Sequence, residues 1–178
     1  MTALIEPAQV DDVLLADIAA GRAAGDDTLR LWWLGQAGFL VQWHDRHLLL
    51  DPYLSDSLAR KYRGTATPHD RMMPAPVTPG ELGAMNLVLC THHHTDHMDA
   101  DTLTPLARAD PRLRFVIPRS AKALALTRID VTEDRLIALD AGDSVEPLPG
   151  LVIRALRAAH ETLEKDDDGH HRFLGLCI

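Results

Sequence analysis

Apolar residues recur along the first third of the chain with two different periods. Leu14, Leu15, Ile18 and Ala19 follow Pro7 at the spacing of one helical face, which predicts an amphipathic helix over residues 8–20 closed by Gly21. From Leu29 the period becomes that of extended chain. Leu29-Arg-Leu-Trp-Trp-Leu34, Phe39-Leu-Val-Gln-Trp43 and His47-Leu-Leu-Leu-Asp51 are three strand-like runs, separated by Gly35-Gln-Ala-Gly38 and by the turn His44-Asp-Arg46. Runs joined this closely predict an antiparallel meander.

Residues 52–83 interrupt the pattern with prolines at 52, 68, 74, 76 and 79 and one short helix over 54–62. A connection of this length is usually functional or disordered. Asn86-Leu-Val-Leu-Cys90 is a short apolar run suited to a strand covered on both faces. After it, helices over 101–109 and 120–127 alternate with strands over 115–117 and 136–139, the signature of α/β layering. Strand character returns at 144–145, 151–156 and 173–178, the last run preceded by the turn Asp166-Asp-Asp-Gly169. The expected fold class is α/β with α+β character, and nothing in the chain repeats.

Composition narrows the function. A chain of 178 residues with 46% apolar content is expected to form one domain over 1–178. A net charge of −8 without any block of Lys or Arg lacks the footprint of a nucleic-acid binder. Residues 1–10 combine no basic leader with an apolar run, and no stretch approaches the roughly 20 residues that cross a bilayer, so a cytoplasmic location without a membrane span is expected. Cys90 and Cys177 both lie in apolar strand-like runs and are expected to be small buried hydrophobes rather than a disulfide.

The chemistry is concentrated in His92-His-His-Thr-Asp-His97, directly after the buried run. Alternate residues of extended chain point the same way, so His92 and His94 can grip one ion, while a turn aims Asp96 and His97 at a second. Imidazole suits zinc, and a carboxylate also admits manganese or iron. A solvated His-rich loop is the alternative, but it accounts neither for the aspartate nor for the position between an apolar strand and an amphipathic helix. His93 points away on extended chain, and His44, His47, His69, His170 and His171 fall in turns, edges or loops where surface positions are expected. Of the long-loop residues, His69 and Arg71 are candidates for touching substrate, as is Gln36 in the Gly-Gln-Ala-Gly turn.

His-x-His-x-Asp-His after an apolar strand resembles the signature of the metallo-β-lactamase superfamily. Trp33-Leu-Gly-Gln-Ala-Gly-Phe39 and Leu48-Leu-Leu-Asp-Pro-Tyr53 look like the opening of the branch that contains L-ascorbate-6-phosphate lactonase, and Ala158-Ala-His-Glu161 looks like its next histidine motif. The resemblance spans residues 29–178 and implies an αββα sandwich, mainly its N-terminal half. It implies that His92, His94 and His160 hold a first metal and that Asp96 and His97 contribute to a second. It places Asp51 beside the site, supporting the metal-binding loop through hydrogen bonds; on its own, Asp51-Pro52 reads as a strand-ending turn. The superfamily completes its site with a metal-bridging aspartate after the strand that follows the third histidine motif, and with a final histidine. Ile178 lies in that strand, so the domain is expected to continue past these residues or to be completed by another chain.

The resemblance implies one or two divalent ions, zinc or manganese with iron also admitted, that activate water for attack on a small-molecule substrate, with Asp96 orienting or deprotonating the nucleophile. A small ester or lactone, with or without a phosphate group as in that branch, is the first expectation. Phosphodiester cleavage, as in phospholipase D-like enzymes that release N-acylethanolamines, is the second. A non-catalytic metal-binding domain or fragment is the reading from another class. Self-association stays open.

Overall fold

The computed structural model describes residues 4–178. Helix α1 (Asp11–Ala24) turns Leu14 and Ile18 into the core and ends at Gly25, whose φ of 58° supplies the left-handed cap that glycine adopts without strain. The expected stop at Gly21 is therefore corrected. Gly21 lies inside the helix at a close approach, where an added Cβ would come within 3.0 Å of Arg30 Cδ and Gln42 Oε1.

The three early runs form the expected meander: β1 (Arg30–Gly35), β2 (Gly38–Trp43) and β3 (Arg46–Leu50) pair antiparallel. The helix–strand alternation then adds β4 (Leu87–Leu89), β5 (Arg114–Pro118) and β6 (Leu136–Leu139), each parallel to its neighbour, giving one six-stranded sheet in the order β1 to β6. A short helix α2 (Ser57–Lys61) lies in the long connection, α3 (Ala100–Ala109) follows β4, and α4 (Lys122–Ala125) follows β5 and runs into a π-type turn, Leu126–Asp130. Strands β7 (Ser144–Leu148), β8 (Leu151–Arg157) and β9 (Leu174–Cys177) make a second, antiparallel sheet.

Alternation of side chains across the first sheet builds two cores. Leu34, Leu40, Leu49, Val88, Phe115 and Ile117 face Leu14 and Ile18 of α1 and Leu103 and Leu106 of α3. Leu48, Leu87, Leu89 and Val116 face Leu151, Ile153, Ala155 and Leu174 of the second sheet. The result is a layered α/β sandwich of helices, mixed sheet and antiparallel sheet. At roughly 1.5–3 kcal/mol for each fully buried large apolar side chain, this two-sided burial accounts for the continuous apolar character of β4, whose three residues are all inaccessible. Over β1 and β2 the inner face is less covered, leaving Leu31, Trp33, Phe39 and Trp43 exposed. Of the two free cysteines, Cys90 is buried as expected, whereas Cys177 is exposed, because β9 turns it outward. Among the described residues no helix is long and apolar enough to cross a membrane.

The long connection is ordered by polar contacts. Arg71, buried, donates to the carbonyls of Leu34, Tyr53, Ser55 and Met73. Asp99, 1% exposed, accepts from the hydroxyls of Ser55, Ser57 and Thr102 and so ties that connection to the start of α3.

Candidate metal centre

Because β3 and β4 run parallel, their C-terminal ends deliver Asp51 and Thr91 side by side, at the edge where open α/β sheets place their sites. Asp51 stands at φ 40° and is buried. Its carboxylate accepts from the Thr91 amide at 2.7 Å, from Thr91 Oγ1 at 2.7 Å and from His97 Nδ1 at 2.9 Å. Gly38 abuts this corner: a Cβ there would lie 3.4 Å from the Asp51 carbonyl oxygen and 3.6 Å from Pro52 Cα. The Gly-Gln-Ala-Gly turn thus packs against the backbone that aims Asp51.

After Thr91 the loop folds back on itself. The amides of His97 and Met98 donate to the His94 carbonyl at 3.1 and 2.8 Å, which returns Asp96 and His97 toward His92. Behind the loop, Arg128 from the π-type turn donates to the carbonyls of His93 (2.6 Å) and Met98 (3.1 Å). His160 arrives from the loop after β8, exposed to solvent.

Ring centres of His92 and His94 are 4.7 Å apart, those of His94 and His160 5.0 Å, and those of His92 and His160 6.2 Å. An ion held by three imidazole nitrogens at roughly 2.0–2.1 Å in tetrahedral arrangement spaces the ring centres about 5 Å apart. His97 lies 3.8 Å from the His92 ring centre, and its Nε2 is 3.7 Å from a carboxylate oxygen of Asp96. The decisive atom is His92 Nε2, which is buried and has no hydrogen-bond partner. A buried imidazole nitrogen without a partner is costly unless something that binds a lone pair occupies the space beside it. The chemistry of these donors suits a divalent cation, although among the described residues only Asp166, Asp168 and His170 bring three ligand-type atoms within 4.8 Å of one another.

Protonation follows the same geometry. Burial, reinforced by the neighbouring imidazoles of His97, His94, His93 and His160, holds His92 down to about 3, so its ring is neutral at physiological pH. Burial and then His160 also lower His94, and burial and then His94 lower His93. At His97 burial opposes the charged form, but the hydrogen bond and charge of Asp51, with Asp96 beyond, outweigh it and raise the pKa. Asp51 thus fixes His97 with Nδ1 as donor and Nε2 turned toward Asp96, the carboxylate–histidine arrangement that orients metal ligands.

The remaining expected site residues lie elsewhere. Gln36 accepts the Met72 amide through Oε1 at 2.7 Å, which ties the β1–β2 turn to the long connection. His69 is exposed and its ring lies against that of Tyr62 at a tilt of 48°, with ring centres 4.4 Å apart. Arg71, expected to be within reach of substrate, is buried and spends its guanidinium on main-chain carbonyls. Two histidines expected at the surface are buried: His47 accepts from Arg22 Nε at 3.2 Å, and His171 meets Asp140 Oδ1 at 2.9 Å through both its amide and Nδ1. Asp166, Asp168 and His170 bring ligand-type atoms within 4.8 Å of one another at the hairpin tip. There Asp166 caps the amides of Asp168 and His170, which is turn chemistry. Thr91, Arg128 and Phe173 were not expected at the site. Thr91 had a weak signal, a hydroxyl between strand and motif, and the other two had none.

Residues 46–178 match the family described as a beta-lactamase superfamily domain. A metal-dependent hydrolase of Saccharolobus solfataricus is 23% identical over 144 residues, covering 79% of this chain and 54% of that protein. An N-acyl-phosphatidylethanolamine-hydrolyzing phospholipase D of Caenorhabditis elegans is 28% identical over 90 residues, covering 51% of this chain and 24% of that protein. Among solved structures, a metallo hydrolase of Ignicoccus hospitalis superposes with a TM-score of 0.52 at 19% identity, covering 83% of this chain and 54% of that one, a likeness of fold. The chain spans about half or less of the length of these curated relatives. On the family match, with the mixed sheet and the histidine loop at its carboxyl edge, the chain belongs to the beta-lactamase superfamily.

Proposed function

We propose that the histidine cluster is the metal centre of a hydrolase, with His92, His94 and His160 holding one divalent ion and Asp96 and His97 serving a second. The observation that carries this reading is the buried, unpartnered Nε2 of His92 beside the rings of His94, His97 and His160. When bound, zinc or manganese, with iron also admitted, lowers the pKa of water toward 7 and polarises the oxygen under attack. The chain's own residues supply placement and proton handling. Asp51 and Thr91 set the orientation of His97. Asp96, its side chain 40% exposed, faces solvent from the same turn and can take the proton of an attacking water.

For substrate, we read a small lactone or ester, with or without a phosphate group, by resemblance to the ascorbate-phosphate lactonase branch. This rests on the Gly-Gln-Ala-Gly turn packed against Asp51-Pro52, which gives the branch-like opening a place next to the site. Phosphodiester hydrolysis is the second reading, supported by the phospholipase D relative. Elemental analysis of the purified chain beside His92→Ala and His160→Ala tests the metal centre. Bound metal that both substitutions reduce is expected, and content unchanged by either would remove the reading. Lactone, ester and phosphodiester panels under zinc or manganese then separate the substrate classes.

A further inference from the structure

The side-chain torsion that sets an imidazole's plane is broad, so backbone alone does not aim a histidine at an ion. Metal-binding histidines usually solve this by donating the second ring nitrogen to a carboxylate, carbonyl or water. His97 has Asp51 for that role, and His92 Nδ1 has Thr91 Oγ1 at 3.0 Å. Among the described residues the rings of His94 and His160 have no hydrogen-bond partner. They share a packing partner instead, Phe173.

Phe173 is buried at the base of the loop that carries His160. It forms an isolated antiparallel bridge with His92, Leu174 next to it donates its amide to the Thr91 carbonyl at 3.0 Å, and Ala158 donates to the Phe173 carbonyl at 3.3 Å. One backbone position therefore joins the His92 loop to both ends of the His160 loop. The phenyl centre lies 5.0 Å from the ring of His92, 5.7 Å from that of His94 and 5.5 Å from that of His160. These are the separations at which aromatic rings constrain each other's tilt.

We propose that Phe173 is a positioning residue for the metal centre: its ring stands in for the missing hydrogen bonds of His94 and His160 and presets both planes before an ion arrives. The inference rests on the metal-centre reading of the previous subsection. Phe173 has no polar atom to offer an ion, so it acts only through the histidines. Restricting ring rotation in the metal-free protein leaves less freedom to be lost on binding, which raises affinity by preorganisation.

The test uses cobalt as the probe ion in the purified chain, with Phe173→Leu, Phe173→Tyr and the same changes in a His160→Ala background. Cobalt affinity and the visible absorption of the bound ion are read together, and thermal unfolding without metal reports the fold. Phe173→Leu is expected to unfold near wild type, to bind cobalt about 10–100-fold more weakly and to shift the visible band. Phe173→Tyr, which keeps the ring, is expected to restore both. In the His160→Ala background Phe173→Leu is expected to weaken binding by less than it does in wild type, since one of the two histidines through which it acts is gone and only His94 remains. A folded Phe173→Leu protein with wild-type affinity and spectrum overturns the proposal, as does a Tyr variant that folds yet binds no better than Leu. Should Phe173→Leu fail to fold, the Tyr variant decides by the same two readouts. Wild type that takes up no cobalt overturns the metal-centre reading itself, and this proposal with it.

Discussion

Replacing Asp51 by Asn tests the electrostatic corner of the site with the exchange of one heavy atom, a carboxylate oxygen for an amide nitrogen. Oδ1 of Asp51 accepts the Thr91 amide, and Oδ2 accepts both Thr91 Oγ1 and His97 Nδ1. The amide variant keeps Oδ1 in its role. Its NH2 then occupies the position of Oδ2, where Thr91 Oγ1 can accept from it but a protonated His97 Nδ1 cannot. His97 is left with two options: rotate away, or move its proton to Nε2 and lose the lone pair that faces Asp96. Hydrogen bonds to a charged group contribute roughly 1.5–3 kcal/mol each. Thr91 keeps both its contacts, so the expected loss of stability is about that of one such bond, and metal binding at the His97 side is expected to weaken about 10–100-fold. Metal titration followed by competition with a chromophoric chelator measures the affinity, and nitrogen-15 shifts of the His97 ring report the tautomer. An Asn variant with wild-type affinity and the proton still on Nδ1 would refute the orienting role of Asp51, whatever its effect on stability.

Three further outcomes follow from the same geometry. Burial would raise Asp140, but the amide and ring of His171 and the amide of Ala141 together lower it to about 2. A depressed carboxylate stabilises the fold above its unfolded value near 4 and loses that contribution as pH falls toward 2. With its side chain 19% exposed, the contribution after solvent screening is about 1–2 kcal/mol, and Asp140→Asn is expected to remove this acid-limb slope in urea titrations between pH 5 and 2. Gly35→Ala places a Cβ at φ 90° and 2.9 Å from Arg71 Nη2, so it is expected to cost about 1–3 kcal/mol in chemical denaturation; a variant as stable as wild type would contradict the strain argument. Arg128→Met withdraws the guanidinium from the His93 and Met98 carbonyls and is expected to speed amide hydrogen exchange across residues 92–98 far more than in β5; uniform exchange would refute local anchoring.

The parts of this molecule legible in its sequence are those whose cause is local. Strand alternation declares β1 to β3 because each residue's face is set by its own position, and His92 to His97 are legible because the ligand-type residues are neighbours in the chain. Gly21 reads as a helix stop in the sequence because the same residue type serves two needs, a left-handed cap and a close approach, and only the packed neighbours Arg30 and Gln42 distinguish them. His47 and His171 were expected at the surface because a lone histidine in an edge or loop gives no sign of a partner; the partners that make burial affordable, Arg22 and Asp140, are 25 and 31 positions away. Asp51 and His160 entered through family resemblance rather than through pattern, since each is an ordinary loop residue until β3 and β8 carry it to the carboxyl edge of the sheet. Phe173 lies furthest from legibility. Its position before β9 reads as the first residue of an apolar strand, and burial alone would explain it. Only the ring separations from three histidines on two different loops give it a second role, so its reading stands or falls on coordination chemistry and not on stability.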